Sequence, residues 1–210
     1  MNDLNELELI KDAVSCHSPS IIGQDELLKS SVCICLTEEE NGLNVILEVR
    51  NSHLIPQPGD ICLPGGMAEA DESPEETAVR ETCEELLVAP DQINLIGGTD
   101  VFMTGRIMIT PYTALIRDYT GSFNTDEVQE ILKIPVSFLL QTPPEEYYME
   151  FKPDTDTDFP YDRIEGGREY KWGRRIEKVL FYKYGQYNIW GITAAILDNF
   201  VRTLKQNEKI

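Results

Sequence analysis

Three glutamates, Glu81, Glu84 and Glu85, fall close together in the segment Arg80 to Val88. On a helix that turns about 100° per residue they share one arc of roughly 100°, with Val79, Cys83 and Leu86 on the opposite, core-facing side. Carboxylates this close repel one another, and the carboxyl-terminal end of a helix dipole disfavours negative charge. A bound cation reverses that penalty. Hard oxygen donors of this kind suit Mg²⁺ or Mn²⁺, which keep several waters and bind substrate phosphates. Acidic helix faces are more often simply solvated, so the context has to decide. Just before the helix, Pro64-Gly65-Gly66 can bring backbone groups close to a ligand. Arg80 can hold a carboxylate with paired hydrogen bonds. The chemistry open to such a set is binding of a divalent cation that also holds substrate phosphates.

The elements that must position these groups are visible in the patterning. Ser73 caps a helix over Ser73 to Leu87, Pro74 suits its first position, and Glu76 stands where a capping-box carboxylate reaches back. Ser31 to Leu36 and Leu43 to Arg50 read as a β-hairpin, with Cys33 and Cys35 on one face. Asn51 to Gly66, punctuated by Pro and Gly, reads as a loop that shapes a surface. Ile93 to Ile96 and Ile107 to Arg117 read as strands, the second demoted at Pro111 to an edge or bulge. Asp126 to Lys133 is expected as a short helix. The polar stretch from 141 to 175 is expected as a long loop or loose hairpin, and its run Asp154, Asp156, Asp158 as a solvated acidic loop without the Gly and distant Glu of a calcium hand. A strand near Val179 to Tyr184, a turn at Gly185 and a helix from about Trp190 to Leu204 close the chain. The first 15 residues, with Leu4, Leu7, Leu9, Ile10 and Val14, are expected as a helix packed on the rest. The whole implies one α/β domain over 1–210, a mixed sheet between helices.

Composition narrows the partners. Eighteen Lys and Arg against 37 Asp and Glu give a net charge of −19, which argues against nucleic acid held through its phosphates. A phosphate substrate would then need divalent cations to supply positive charge. Five scattered cysteines, Cys16, Cys33, Cys35, Cys62 and Cys83, suggest neither a disulfide framework nor a zinc site and are expected as reduced, mostly buried thiols. The amino terminus lacks the pattern of a secretory signal, and no apolar run approaches a membrane span. The expected setting is cytoplasmic, away from membranes.

Gly66, five residues, Glu72, seven residues, then Arg80-Glu81-Thr82-Cys83-Glu84-Glu85-Leu86-Leu87-Val88 resembles the box of the Nudix hydrolases, G-x5-E-x7-R-E-U-x-E-E-x-G-U with U aliphatic. Thr82 stands for an aliphatic residue and Leu87 for the last Gly, which normally permits a left-handed helix exit. The resemblance implies the Nudix α/β/α sandwich. It implies Glu81, Glu84 and Glu85 as metal ligands, helped by the carbonyl of Gly65 or Gly66, and Arg80 and Glu72 as orienting residues. It implies hydrolysis of a nucleoside diphosphate linked to another group, with Glu81 as proton acceptor, or Glu127 or Glu130 from a later segment; an amphipathic acidic helix is the plain alternative for these last two.

Ile46 to Gly66, ILEVRNSHLIPQPGDICLPGG, also resembles the coenzyme A pyrophosphatase signature, an LLTxR strand leading through a loop to GQ-x-x-F-PGG. Arg50, Leu54, Gly59, Ile61, Pro64, Gly65 and Gly66 fit, and Arg50, Gly65 and Gly66 become the substrate-binding candidates. Ile55, Gln57, Asp60 and Leu63 stand where that subgroup prefers Arg, His, Gln and Phe. YNIWGITAAIL, from Tyr187 to Leu197, resembles the same subgroup's closing helix. The substrates implied are coenzyme A or its derivatives; ADP-ribose, a nicotinamide dinucleotide, or binding of a nucleotide without catalysis are the alternatives. Intact Glu81, Glu84 and Glu85 speak against the last. A homodimer through the amino-terminal region or the sheet is the assembly that the family suggests.

Overall fold

The computed structural model describes residues 3–40, 42–153 and 158–206, with side chains from Glu6 onward. Asp154 and Asp156 of the acidic run lie outside the described residues. Helix α1 (Asp3–Ser15) precedes the paired strands β1 (Leu28–Glu39) and β2 (Gly42–Arg50). Two short strands, β3 (Ile61–Cys62) and β4 (Gly65–Met67), lie within the Pro- and Gly-rich segment and lead to α2 (Pro74–Leu86). Then come β5 (Ile93–Gly98), β6 (Phe102–Met103), β7 (Ile107–Ile116), β8 (Val128–Pro135) and α3 (Val136–Gln141). Strands β9 (Glu145–Phe151), β10 (Arg175–Tyr184) and β11 (Tyr187–Trp190) precede the last helix, α4 (Gly191–Gln206).

The larger sheet is mixed. Its order is β3-β2-β1-β7-β5, with β1 and β7 parallel, the other neighbours antiparallel, and β4, β6 and β8 pairing with β1, β7 and β2. Alternation sorts β1 by period two: Cys33 and Cys35 join Leu86 and Val88 under α2, while Ile34 and Leu36 join the opposite core with Leu197 and Phe200 of α4. Helices thus cover both faces, the α/β sandwich expected. The smaller sheet, β11-β10-β9, buries Leu180, Tyr182 and Ile189 in the α4-side core. Its strand β9 comes from the polar stretch and pairs with β10 across the connection 152–174.

Four expectations are corrected. Asp126 to Lys133 is not a helix: Val128, Leu132 and Ile134 are buried along β8, which pairs with β2, and β-branched side chains suit that pleated surface. Pro111 lies in the interior strand β7, where its missing amide is tolerated because the neighbouring strand is interrupted between β5 and β6; its carbonyl accepts from Thr99 in that gap. Helix α1 forms, but Leu7, Leu9, Ile10 and Val14 remain exposed; a stripe of Leu7, Ile10 and Val14 flanked by charges is too narrow to dock it firmly. Of the thiols, only Cys33 and Cys35 are buried; Cys62 and Cys83 are half-buried and Cys16 is exposed, and all five are free. Among the described residues no helix is long and apolar enough to cross a membrane.

Candidate active site

The segment after β3 turns through Pro64, whose carbonyl accepts from the Cys33 amide at 2.7 Å, and enters β4 beside β1. Gly65 has φ +150°, and a Cβ there would stand 2.6 Å from the Val32 Cα. Gly66 faces α2: a Cβ would stand 2.7 Å from Glu81 Oε2. Only glycine lets the strand come this close on both sides. Ser30 Oγ donates to the Gly66 carbonyl at 2.7 Å, fixing that backbone.

Helix α2 starts at its capping box: Ser73 Oγ accepts from the Glu76 amide at 3.2 Å and Glu76 Oε2 from the Ser73 amide at 2.8 Å. It ends at Leu87, which takes the left-handed conformation (φ 51°, ψ 45°) that the family's glycine would occupy. The buried face is Thr77, Ala78, Thr82, Glu85 and Leu86; Val79 and Cys83 are only half-buried. The core stripe is therefore rotated from the one expected, because small Ala78 and Thr82 let α2 lie close to β1. Thr82 Oγ1 donates to the Ala78 carbonyl at 2.7 Å, which satisfies its hydroxyl without water.

This rotation makes the three glutamates unequal. Glu85 is buried and accepts from the Gly65 amide at 2.8 Å. Glu81 is half-buried and Glu84 is exposed, and Arg80 Nη1 donates to them at 2.9 Å and 3.3 Å. Arg80 Nε and Nη2 donate to both oxygens of Glu72 at 2.8 Å and 3.1 Å, and Nη2 also reaches the Met67 carbonyl at 3.1 Å. Glu72 further accepts from the Glu69 amide and the Thr77 hydroxyl. The Arg80 guanidinium holds the Glu72 carboxyl down at about 2, aided by these other donors. Glu72 and Arg80 thereby tie the loop after β4 to the helix.

Two more acids complete the cluster. Glu48, on β2 and on the same face as Ile46, is fully buried against Glu85, and its Oε1 makes no hydrogen bond. Glu127 lies near enough to raise the carboxyls of Glu48, Glu81 and Glu85, and accepts from Asn124 Nδ2 at 3.3 Å. Glu130 does not join them; it accepts from the Tyr187 hydroxyl at 2.5 Å. Burial pushes Glu85 up to about 7, opposed by the Gly65 amide and reinforced by Glu81 and Glu127. Burial, then Glu85, raises Glu48 well above the carboxylate range. Glu81 is raised by burial despite Arg80. Glu48 escaped the sequence reading, although it is the one charged residue within the run NVILEV, an odd place for an acid in a half-buried strand.

Among the described residues no three acidic, histidine or cysteine side chains already stand in chelating positions, since Arg80 draws Glu81 and Glu84 aside while Gly65 holds Glu85. The donors still fit a hard divalent cation. Mutually destabilised carboxyls and the unbonded Glu48 Oε1 lack the positive charge such an ion brings. Beside this cluster, Arg50, Cys62, Gly65, Trp190 and Thr193 line a cleft of about 450 Å³. Arg50 Nε is buried there without a hydrogen bond. Thr193 Oγ1 donates to the Ile61 carbonyl at 3.0 Å, joining α4 to the turn.

The chain is similar to known proteins in sequence and in fold. A solved MutT/nudix family protein from Enterococcus faecalis superposes with a TM-score of 0.51 at 16% identity, covering 98% of this chain and 75% of that one, a likeness of fold. Nudix hydrolase 22, chloroplastic, of Arabidopsis thaliana is 29% identical over 80% of this chain and 53% of its own length. The peroxisomal coenzyme A diphosphatase of Mus musculus is 28% identical over 62% of this chain and 56% of its own. The chain spans about half the length of these curated relatives. The NUDIX domain model matches residues 27–156, which hold the glycine turn, α2 and its acids; the chain belongs to the Nudix family.

Proposed function

We propose that the protein is a divalent-metal-dependent diphosphohydrolase acting on nucleoside diphosphates joined to a second group, with coenzyme A or a derivative as the favoured substrate. The observation that carries this reading is the convergence of Glu81 and Glu85 on the Gly65-Gly66 turn, with Glu85 bonded to the Gly65 amide. Glu81, Glu84 and Glu85 are the residues that would hold Mg²⁺ or Mn²⁺. When bound, the ion neutralises the diphosphate and lowers the pKa of an attacking water. The chain's residues do the rest. Arg80 and Glu72 lock the helix to the turn, so the acids keep their places. Glu81, raised by burial, would serve as the proton acceptor, and Glu127, which faces the same cluster, as a second one. Arg50 lines the adjoining cleft with a buried donor to spare, which supports a contact from it to a phosphate oxygen.

The coenzyme A assignment is supported by the ILEVR strand, the PGG turn and the likeness to the murine coenzyme A diphosphatase. The test is a panel of coenzyme A, ADP-ribose and nicotinamide dinucleotides with Mg²⁺ or Mn²⁺. Cleavage of coenzyme A to 3',5'-ADP and 4'-phosphopantetheine is expected. Turnover of the dinucleotides alone would move the substrate assignment, and no metal-dependent cleavage of any of them would overturn the hydrolase reading.

A further inference from the structure

One face of the smaller sheet is buried under α4, but the other is open. In-register pairing sets Trp190, Phe181 and Glu145 side by side across β11, β10 and β9, with Tyr147 opposite Val179. Phe181 stacks on Trp190 (centroids 5.7 Å apart, 14° between planes), and Tyr147 meets Phe181 edge-on at 5.4 Å. Tyr147 is 53% exposed and Met149 48%, so these side chains are not core. They floor a groove of about 890 Å³ whose far wall is Val49 and the Gly59–Ile61 segment. Asp60, Ile61 and Trp190 line both this groove and the cleft that holds Arg50 and Gly65. The Thr193 to Ile61 bond fixes the sheet's end against the catalytic turn.

Building on the hydrolase reading, we infer that this aromatic groove is a specificity subsite for an uncharged, extended apolar arm carried on the non-nucleoside side of the diphosphate. Continuity with the cleft gives such an arm a path from the phosphates. Charge argues for its being neutral: Asp60, Glu145 and Lys183 leave the groove with a formal charge of −1, unsuited to a further phosphate. Shape argues for a chain. The rings pack on each other rather than standing apart as the walls of a slot, so they offer an apolar floor over β11 and β10 that continues onto the Tyr147 ring, with Glu145, which accepts from the Tyr147 hydroxyl at 2.7 Å, at its rim. Burying four or five methylenes on such a floor is worth enough to dominate selection among otherwise equal diphosphates.

The test uses the full chain and P2-alkyl esters of ADP, from methyl to hexyl to dodecyl. With Mg²⁺, KM is expected to fall at least tenfold from methyl to hexyl. In Tyr147→Ser and Met149→Ser, both solvent-facing positions, that fall should shrink to threefold or less while methyl-ester turnover is unchanged. A titration of the Trp172→Phe chain in chelator, read by the fluorescence of the remaining Trp190, should respond to the hexyl ester at concentrations where the methyl ester gives nothing. Hydrolysis of every ester with a KM independent of chain length overturns the subsite and leaves the hydrolase reading standing. Absence of hydrolysis of any ester sinks that reading instead, and the chelator titration then decides the groove alone. Two further results also overturn the subsite: dependence of KM on base identity abolished by Tyr147→Ser, or a concentration-dependent dimer in sedimentation that the same change dissolves.

Discussion

Gly66 and Glu81 fit each other only because residue 66 has no side chain: a Cβ there would lie 2.7 Å from Glu81 Oε2. Gly66→Ala must push Glu81 away or shift β4 from β1. A displacement of about 1 Å at a reacting group costs on the order of 10²-fold in rate. The expected result is that loss in kcat with an unchanged far-ultraviolet circular dichroism spectrum; full activity would remove Glu81 from the mechanism.

Glu84→Gln separates chemistry from architecture. Glu84 is exposed and, among the described residues, bonds Arg80 alone, a surface pair worth little. Thermal stability in chelator should therefore stay within about 0.5 kcal/mol of the parent, while Mg²⁺-dependent turnover falls by two to four orders of magnitude, roughly the range for a lost catalytic group. Unchanged turnover would contradict its role as a ligand.

The buried acids give the metal-free protein an unusual pH response. The folded-state pKa of Glu85 is raised to about 7 from an ordinary 4.5, so between those values the native state binds more protons than the unfolded one. Stability is then highest below about pH 4.5 for this group and is lost as pH rises towards 7, by on the order of 3 kcal/mol. Melting in chelator from pH 5 to 8 should show the decline. Added Mg²⁺ should offset it above pH 7, and Glu48→Gln, which removes the buried acid beside Glu85, should flatten it.

Leu87 holds a left-handed conformation that costs a branched side chain about 1 kcal/mol. It is exposed, so little packing is lost on truncation. Leu87→Gly should raise stability by about 0.5–1 kcal/mol, read as a higher denaturant midpoint at constant slope. A fall in the midpoint would mean that the apolar side chain outweighs the backbone strain.

How far the chain could be read depended on whether the signal was local. The capping box at Ser73 and Glu76, the hairpin of β1 and β2, and the spacing of the box acids are set by nearby residues, and they were legible. The side chains that sort Glu85 from Glu84 were not. Their exposures differ because Ala78 and Thr82 set the rotation of α2 against β1, a tertiary fact. Asp126 to Lys133 is expected as a short helix, but pairing of Val128–Pro135 with β2 decides for a strand. Glu48 was hidden for the same reason: only the register of β2 against its neighbours and the docking of α2 bring it to Glu85.

The bond from Thr193 to the Ile61 carbonyl means that β3, just ahead of the glycine turn, is braced by α4, 132 residues downstream. During synthesis every acid of the box emerges well before its brace. A nascent chain halted ahead of Gly191 would still hold the motif through Ser30, Cys33 and Arg80, and only the α4 strut on Ile61 would be missing.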